Sequence, residues 1–263
     1  MELTFAFAEI RKLYKYRGLI RYLTWGRLKS ADRDNTLGKL WSLLNPIASL
    51  AIYYFIFNVV FESRVEHFAL FLFSAIISWQ FLVKSIRISA QSIIANQDLI
   101  SEAYFPKAVL PLSIVLSNAY DYLFGVIVLL FLAVFTGLPL TLMMLLWPLV
   151  FLGQFVFTLA ASVLAATLGV FFRDLRNLLE IVFRLLFYFS GTMYSISRVP
   201  ESIRPFFQLN PVYIFFESYR NLLLYNEFPP FFRLAAVCLV SGLMILFALH
   251  YMRRKEGVFI KHL

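Results

Sequence analysis

Apolar stretches close to the length of a membrane span alternate with short polar segments along most of this sequence. A bilayer core about 30 Å thick is crossed by roughly 20 apolar residues in a helix, and six stretches meet or approach that length. They lie near 43–61, 68–89, 112–136, 141–171, 178–196 and 231–252. The pattern therefore predicts an all-α integral membrane protein, with one six-helix transmembrane domain over residues 31–263.

The first 30 residues differ from these spans because charged residues recur throughout them. The apolar side of 3–16 carries Leu3, Phe7, Ile10 and Tyr14, and its basic side carries Arg11, Lys12 and Lys15. This spacing predicts that residues 1–30 contain an amphipathic helix lying in the membrane interface. Two roles are open for it: an anchor attracted to the headgroups of anionic membrane lipid, or a platform that binds a cytoplasmic partner.

A short polar segment at 96–105 separates the second and third predicted spans and is also expected to be helical. Asn96 is a suitable N-cap, Asp98 complements the positive end of the helix dipole, and Pro106 ends the helix. Such a helix is about 15 Å long, which is too short to cross a bilayer. We expect it to lie across the inner face of the membrane, and a solvated loop helix without a function is the simpler alternative.

The segment 199–230 is too long for a simple connection and too apolar for a solvated one. We expect two short helices that enter the outer leaflet and return, the second beginning at Asn210-Pro211 and ending near Tyr225-Asn226. Non-helical backbone at that depth must be buried in protein or line water, so this re-entrant hairpin is predicted to cap a passage. The residues assigned to the cap are Phe206, Phe207, Tyr213, Phe216, Glu217 and Arg220.

Composition supports a membrane protein, and the distribution of charge sets its orientation. Hydrophobic residues make up 61% of the chain and charged residues 15%, against roughly 45–50% and about 25% in soluble domains. The basic residues behind the net charge of +9 concentrate in alternate connecting segments, which predicts that both termini are cytoplasmic. Membrane orientation accounts for this charge, so it does not indicate nucleic-acid binding.

The sequence lacks the patterns that would give the chain an enzymatic activity of its own. No segment matches GxxxxGKS/T, so no loop is predicted to hold nucleotide phosphates. The histidines His67, His250 and His262 belong to no metal-ligand motif, and the single cysteine, Cys238, excludes a cysteine cluster or an internal disulfide. The chain is therefore predicted to be a transport subunit, not an enzyme, with no metal or cofactor of its own.

Ionisable residues in or beside the spans are functional candidates because leaving them in lipid is costly. Glu180 and Arg184 have the i,i+4 spacing of an ion pair on one helix face, and we expect a structural pair, with a proton relay as the alternative. The sequence does not show which residue pairs with Asp121, and Lys84, Arg87 or a second subunit could do so.

Four short motifs, in order along the chain, resemble those of one transporter family. They are Leu37-Gly38-x-Leu40-Trp41 with Pro46 before the first span, Phe105-Pro106-Lys107 before the third, Phe171-Phe172-Arg173-Asp174-Leu175 after the fourth, and Asn210-Pro211 in the last outer segment. Together they resemble the membrane subunits of type 2 ABC exporters, specifically the permeases for lipid-linked polysaccharides such as teichoic acid, O-antigen and capsule. The string from Arg184 to Tyr194, followed by Val199-Pro200, is most similar to wall teichoic acid exporters.

The resemblance implies a multi-pass protein of the bacterial cytoplasmic membrane that moves a lipid-linked polysaccharide to the outer face. It implies a homodimer with two separate cytoplasmic ABC ATPase subunits, which bind the ATP and Mg²⁺. The substrate would be an isoprenoid-diphosphate-linked glycan, most similar by the motifs to wall teichoic acid, with O-antigen or capsular polysaccharide as the alternative.

The resemblance also assigns residues to roles. Contacts with the ATPase would come from Gln97, Asp98 and Glu102 of the polar helix and from Arg173, Asp174 and Arg176 of the next cytoplasmic loop. Phe105 would border the entrance for the polymer. We expect Lys84, Arg87 and Lys107 to receive the charged phosphate link there, because they lie at the inner ends of the second and third predicted spans.

Three rival functions are compatible with a chain of this kind. The first is export of a drug or lipid by the same superfamily. The second is an ion-driven secondary carrier that moves protons through Asp121, Glu180 or Glu217, although the inverted repeats common in such carriers are not evident. The third is an intramembrane transferase, which would need a cluster of acidic residues at one interface, whereas the acidic residues here are scattered.

Overall fold

The computed structural model describes residues 11–33, 40–56, 67–172 and 174–262, and the regular secondary structure of these residues is helical. The α-helices are α1 (Arg17–Arg33), α2 (Leu40–Tyr54), α3 (Phe68–Ala90), α4 (Gln97–Glu102), α5 (Val109–Phe135), α6 (Trp147–Phe171), α7 (Leu175–Phe189), α8 (Arg204–Leu209), α9 (Pro211–Arg220) and α10 (Phe231–His262). The predicted all-helical fold class is confirmed for this part of the chain.

Four helical segments are long and apolar enough to cross a membrane: Phe68–Ala90, Val109–Phe135, Leu142–Phe171 and Phe231–Gly257. They correspond to the second, third, fourth and sixth predicted spans. The helices at the other two predicted spans, α2 and α7, have 15 residues each, or about 22 Å of helix. Of the first predicted span, 57–61 lies outside the described residues.

Helix α7 ends earlier than the predicted boundary at 196. Its last helical residue is Phe189, and Gly191 follows with φ +59°, a left-handed conformation that glycine adopts without strain. The chain turns there, so the apolar residues up to 196 do not continue the helix.

The centre of the helix bundle is α3, which contacts α2, α5, α6, α7 and α9. Of its most apolar stretch, 72% is buried in protein, whereas the corresponding figure for α5 and α10 is 28%. A helix surrounded by other helices must be apolar on all sides, which is why its sequence shows little amphipathicity. The exposed apolar faces of α5 and α10 are available to lipid or to another subunit.

Small residues bring α6 against the end of α3. A Cβ atom on Gly169 would lie 1.8 Å from the carbonyl oxygen of Ala90, so the two backbones are in direct contact there. Small residues permit such close approach between membrane helices. Because Ala90 is the last residue of α3, the same contact holds the point from which the polar segment continues.

A buried polar network joins three helices within the bundle. The side-chain amide of Gln154 in α6 donates to the carbonyl oxygen of Ser78 in α3 at 3.0 Å. The Gln154 amide oxygen accepts from the Ser78 hydroxyl at 3.0 Å and from the Tyr219 hydroxyl of α9 at 2.8 Å. Each polar group therefore has a partner away from water, and α9 is bonded to the centre of the bundle.

The predicted hairpin between 199 and 230 is present as α8 and α9. The Asn210 side chain accepts a hydrogen bond from the backbone N–H of Val212 at 3.0 Å and so caps α9, as the sequence predicts. A π-helical turn continues from α9 to Tyr225, and Asn226 ends it with φ 51°. We call the end of the bundle that carries this hairpin the hairpin end.

Most residues assigned to the outer cap are buried within this chain. Phe207, Tyr213, Phe216 and Arg220 are buried, and Phe206 is exposed over 72% of its surface. Tyr213 and Phe216 are buried because α9 packs against α3 and its aromatic residues fill that interface. Glu217 forms an ion pair with Arg233 of α10 at 3.0 Å.

The polar segment between α3 and α5 lies at the opposite end of the bundle, which we call the α4 end. It forms a 3-10 turn at Ile94–Asn96 and then α4, which ends at Glu102 and so before the predicted 105. Asn96 does not cap α4, because its side chain donates to the carbonyl oxygen of Ser92 at 2.7 Å.

The N-terminal helix α1 packs on α5 near the α4 end. The Thr24 hydroxyl contacts the Ser113 carbonyl oxygen at 3.4 Å, and the Trp25 ring lies 6.3 Å from that of Tyr120. Of the predicted amphipathic stretch 3–16, residues 3–10 lie outside the described residues.

Candidate functional site: a cationic and aromatic groove

A groove of about 590 Å³ opens beside α3 towards the α4 end. Its lining includes the basic side chains of Arg27 from α1, Lys84 and Arg87 from α3, and Arg176 from α7. Lys84 and Arg87 are one helical turn apart, so α3 presents both to the same space. Cationic groups from three helices therefore converge here.

Two carboxylates partly balance these cations. The Lys84 ammonium lies 2.5 Å from the Asp121 carboxylate of α5, and the Arg87 guanidinium lies 2.6 Å from the Glu180 carboxylate of α7. Arg176 is also 3.8 Å from Glu180. Among the described residues, four basic side chains stand beside these two acidic ones, so this part of the groove carries an excess of positive charge and attracts anions.

The ion pair predicted between Glu180 and Arg184 is replaced by the pair between Glu180 and Arg87. Because α7 lies against α3, Glu180 reaches a basic residue on the neighbouring helix at hydrogen-bonding distance. Arg184 instead lines an adjoining cavity. For Asp121, the structure selects Lys84 from the three partners that the sequence left open.

The adjoining cavity has a volume of about 520 Å³ and continues the groove along α3. The two spaces share Trp79, Gln80, Val83 and Arg87. Five aromatic rings line the second space, together with three charged side chains: Tyr53, Trp79, Phe183, Phe187 and Tyr188, with Arg87, Glu180 and Arg184. The Phe187 ring centre lies 5.4 Å from that of Trp79 and 5.7 Å from that of Tyr53. The groove thus has a cationic part and an aromatic part.

Phe105 and Lys107 are not part of this groove, although the sequence grouped them with Lys84 and Arg87. Both are buried, and the Lys107 ammonium lies 4.6 Å from the centre of the Phe105 ring. The turn between α4 and α5 folds towards the bundle, where Phe105 joins an apolar cluster. The sequence grouped these two residues with the entrance because they lie close to the other candidates along the chain. In the structure the turn points towards the bundle, so both side chains are buried.

The predicted ATPase-coupling contacts divide into three groups. Gln97, Asp98 and Glu102 are exposed on α4, and Asp174 is exposed where α7 begins. Arg176 is exposed too, but it lines the cationic groove. Arg173 lies outside the described residues. The first group forms a polar surface at the α4 end that a cytoplasmic partner could contact.

Sequence reasoning missed Tyr104, which is exposed over 87% of its surface beside α4. Its neighbour Phe105, which the sequence assigned to the entrance, is only 2% exposed. In a non-helical turn the two adjacent aromatic residues point in different directions, and no periodicity in so short a segment shows which one faces outward.

Membrane-length helices, a groove that is cationic at one part and aromatic at another, and an exposed polar surface at the α4 end define a membrane transport subunit. The sequence of residues 18–224 matches the ABC-2 type transporter family, and the chain belongs to this family. The predicted resemblance to type 2 ABC exporters is thereby confirmed. A permease of this class is not an enzyme, and its ATPase is a separate subunit.

The chain is similar to curated permeases over most of its length. It is 33% identical over 236 residues to the O-antigen export system permease protein RfbA of Myxococcus xanthus, which covers 88% of this chain and 91% of the relative. It is 32% identical over 209 residues to the O-antigen export system permease protein RfbA of Klebsiella pneumoniae, with 78% and 79% covered. Together with the apolar helices, this family membership makes the chain a multi-pass membrane protein.

Proposed function

We propose that this chain is the permease subunit of an ATP-driven exporter for a lipid-linked polysaccharide of the O-antigen class. The observation that carries the proposal is the groove along α3, in which a cationic part adjoins an aromatic part. The names of the relatives favour O-antigen as the cargo over the teichoic acid predicted from the motifs.

The proposed assembly is a homodimer with two ATPase subunits. In this arrangement the α4 end faces the cytoplasm, as the distribution of basic residues predicts. The exposed residues of α4 then meet the ATPase, and each permease contributes one groove to a passage between the two copies. ATP and Mg²⁺ bind to the ATPase and not to this chain.

The two parts of the groove suit the two parts of the substrate. Arginine and lysine side chains bind phosphate oxygens by charge-assisted hydrogen bonds, so Arg27, Lys84, Arg87 and Arg176 would receive the diphosphate. The carboxylates of Asp121 and Glu180 compete for the same cations, which keeps the anion from being held too tightly to leave. Sugar rings present apolar faces and hydroxyls, and the aromatic rings let them slide without a fixed register.

A variant that removes charge from the groove tests this function. In Lys84→Gln, Arg87→Gln and Arg176→Gln combined, we expect loss of surface glycan by tenfold or more and loss of glycan-stimulated ATP turnover. The matched control is Arg198→Gln, a basic residue exposed at the hairpin end. Export by the triple variant at the wild-type rate would contradict the role of the groove.

Export of a small amphiphile by the same superfamily is the second candidate, because the family match alone does not fix the cargo. The two functions are separated by stimulation of ATP turnover in reconstituted complexes. We expect an isoprenoid-diphosphate-linked glycan to stimulate it and unlinked amphiphiles to leave it at the basal level. The reverse result would identify the cargo as an amphiphile.

A further inference from the structure

The non-helical turn between α4 and α5 is held by one residue just before α1 and one residue of α10. The Tyr16 hydroxyl, just before α1, donates to the carbonyl oxygen of Tyr104 at 3.2 Å. The Glu256 carboxylate of α10 accepts from the backbone N–H of Lys107 at 3.2 Å. Residues 88 and 149 positions away along the chain therefore fix the two sides of one short turn.

The side chains of the turn strengthen this attachment. Phe105 is buried in an apolar cluster that also contains Ile20 of α1 and Met252 of α10. Burial lowers the pKa of Lys107, and the nearby charge of Glu256 acts in the opposite direction. The turn thus combines a buried ring, a buried ammonium group and a specific backbone hydrogen bond.

The same part of α10 also reaches the other connection at the α4 end. The Lys255 ammonium lies 5.6 Å from the centre of the Phe171 ring, at the last residue of α6. Lys255 and Glu256 are adjacent, so one turn of α10 contacts both the turn after α4 and the end of α6. These two segments flank the surface proposed to meet the ATPase.

We propose that Glu256 is a positioning residue that transmits movement of α4 into the membrane helices. Helix α4 has six residues, of which Ile100 is the buried one, so its own packing cannot carry a displacement far. Bonding the turn after α4 to α10 makes α5 and α10 move with it. This inference rests on the proposed function, because it assumes that the ATPase acts on α4.

Two conservative variants separate the hydrogen bond from the charge. Glu256→Asp keeps the charge but shortens the side chain by one methylene, which withdraws the acceptor from the Lys107 N–H. Glu256→Gln removes the charge but retains an oxygen that can accept the same bond. Arg254→Gln, an exposed residue on the same helix, is the matched control.

The experiment uses the permease with its ATPase in proteoliposomes and two measurements. We expect Glu256→Asp to raise hydrogen exchange at the Lys107 amide by about tenfold, which corresponds to loss of one hydrogen bond. We also expect it to lower the amount of glycan exported per ATP several-fold, with basal ATP turnover retained. Glu256→Gln and Arg254→Gln should resemble the wild type in both measurements.

Either of two results would overturn the inference. Unchanged exchange at Lys107 in Glu256→Asp would show that the carboxylate does not hold the turn, and faster exchange with an unchanged export ratio would show a structural contact only. A wild-type complex that exports no glycan would refute the proposed function instead, and the exchange measurement would still report on the contact.

Discussion

Arg220 shows how this protein accommodates a buried charge among apolar helices. Its guanidinium donates to the carbonyl oxygens of Phe71, Gly191 and Thr192 at 3.2, 2.9 and 2.8 Å, and it lies 3.4 Å from the centre of the Phe71 ring. These carbonyls belong to the beginning of α3 and to the turn after α7. One side chain of α9 therefore joins three elements at the hairpin end, and its charge is shared among backbone oxygens.

Removal of this guanidinium should destabilise the hairpin end. Arg220→Met leaves three inward-facing carbonyl oxygens without their donor, so we expect a loss of about 3 kcal/mol or more in the free energy of unfolding. Thermal unfolding in detergent measures the loss. Arg198→Met, an exposed arginine at the same end, should unfold like the wild type, and equal stability of the two variants would contradict this account of Arg220.

At the residue scale, the sequence identified charged positions better than their partners. Lys84, Arg87 and Glu180 were all recognised as important, and the structure brings them to one groove. The partner predicted for Glu180, Arg184, was wrong because i,i+4 spacing describes one isolated helix. In the structure the neighbouring helix α3 provides Arg87 instead. Arg27 was missed because it lies on α1, and nothing local in the sequence brings that helix to α3.

At the scale of helices, the contact between α3 and α6 depends on the absence of a side chain. Gly169 lies against the backbone of Ala90, where α3 ends and the polar segment begins. The position of α4 thus depends on how closely α6 approaches α3. A small residue in a membrane span permits close packing, but the sequence does not show which backbone Gly169 meets.

Gly169→Ala should separate these two helices. The added methyl group would meet a carbonyl oxygen at 1.8 Å, and because this neighbour is backbone it cannot rotate away. We expect a loss of stability of about 3 kcal/mol, the upper part of the range for overpacking, together with weaker recovery of the ATPase partner. Thermal unfolding and co-purification measure the two effects.

Gly242→Ala is the control for this change, because an added Cβ at that position on α10 meets no atom within 4 Å. Alanine favours the helix relative to glycine, so this variant should be as stable as the wild type or slightly more so. Normal stability and normal ATPase recovery in Gly169→Ala would show that the two helices can separate without cost.

The long, uniformly apolar helices were predictable, and the short ones were predictable only in position. Helices of more than 20 predominantly apolar residues, such as α3 with its 23 residues, are long enough to cross a membrane. For α4, Asn96 and Pro106 suggested limits of 96 and 105, yet the helix ends at Glu102 because the chain turns inward at Phe105. The ring is buried by contacts with other helices, and the capping residues of α4 give no information about those contacts.

At the scale of the whole molecule, the groove is open on one side. The face of α7 next to it carries Ile181 and Leu185, which are 61% and 55% exposed. A passage for a hydrophilic polymer needs walls on all sides, since polar groups are costly in lipid. A second copy of the chain would supply the missing wall in the proposed homodimer.

Cysteine crosslinking tests this arrangement in a Cys238→Ser background. In a two-fold dimer, residues near the symmetry axis contact their own copies. We expect Ile181→Cys to give crosslinked dimers with a short bifunctional maleimide in native membranes. Leu243→Cys, which is 58% exposed on α10, should remain monomeric under the same conditions. Dimers formed through position 243 alone would place the interface on α10 and leave the groove facing lipid.

In the proposed passage, the 15-residue length of α7 would set how far the cargo is enclosed on that side. This helix rises about 22 Å, whereas the hydrocarbon core measures about 30 Å. Beyond Phe189 the chain turns at Gly191, so α7 would wall only part of the width of the bilayer in the proposed passage. Fewer charged or hydroxylated units of the proposed cargo would then be shielded from water at any instant.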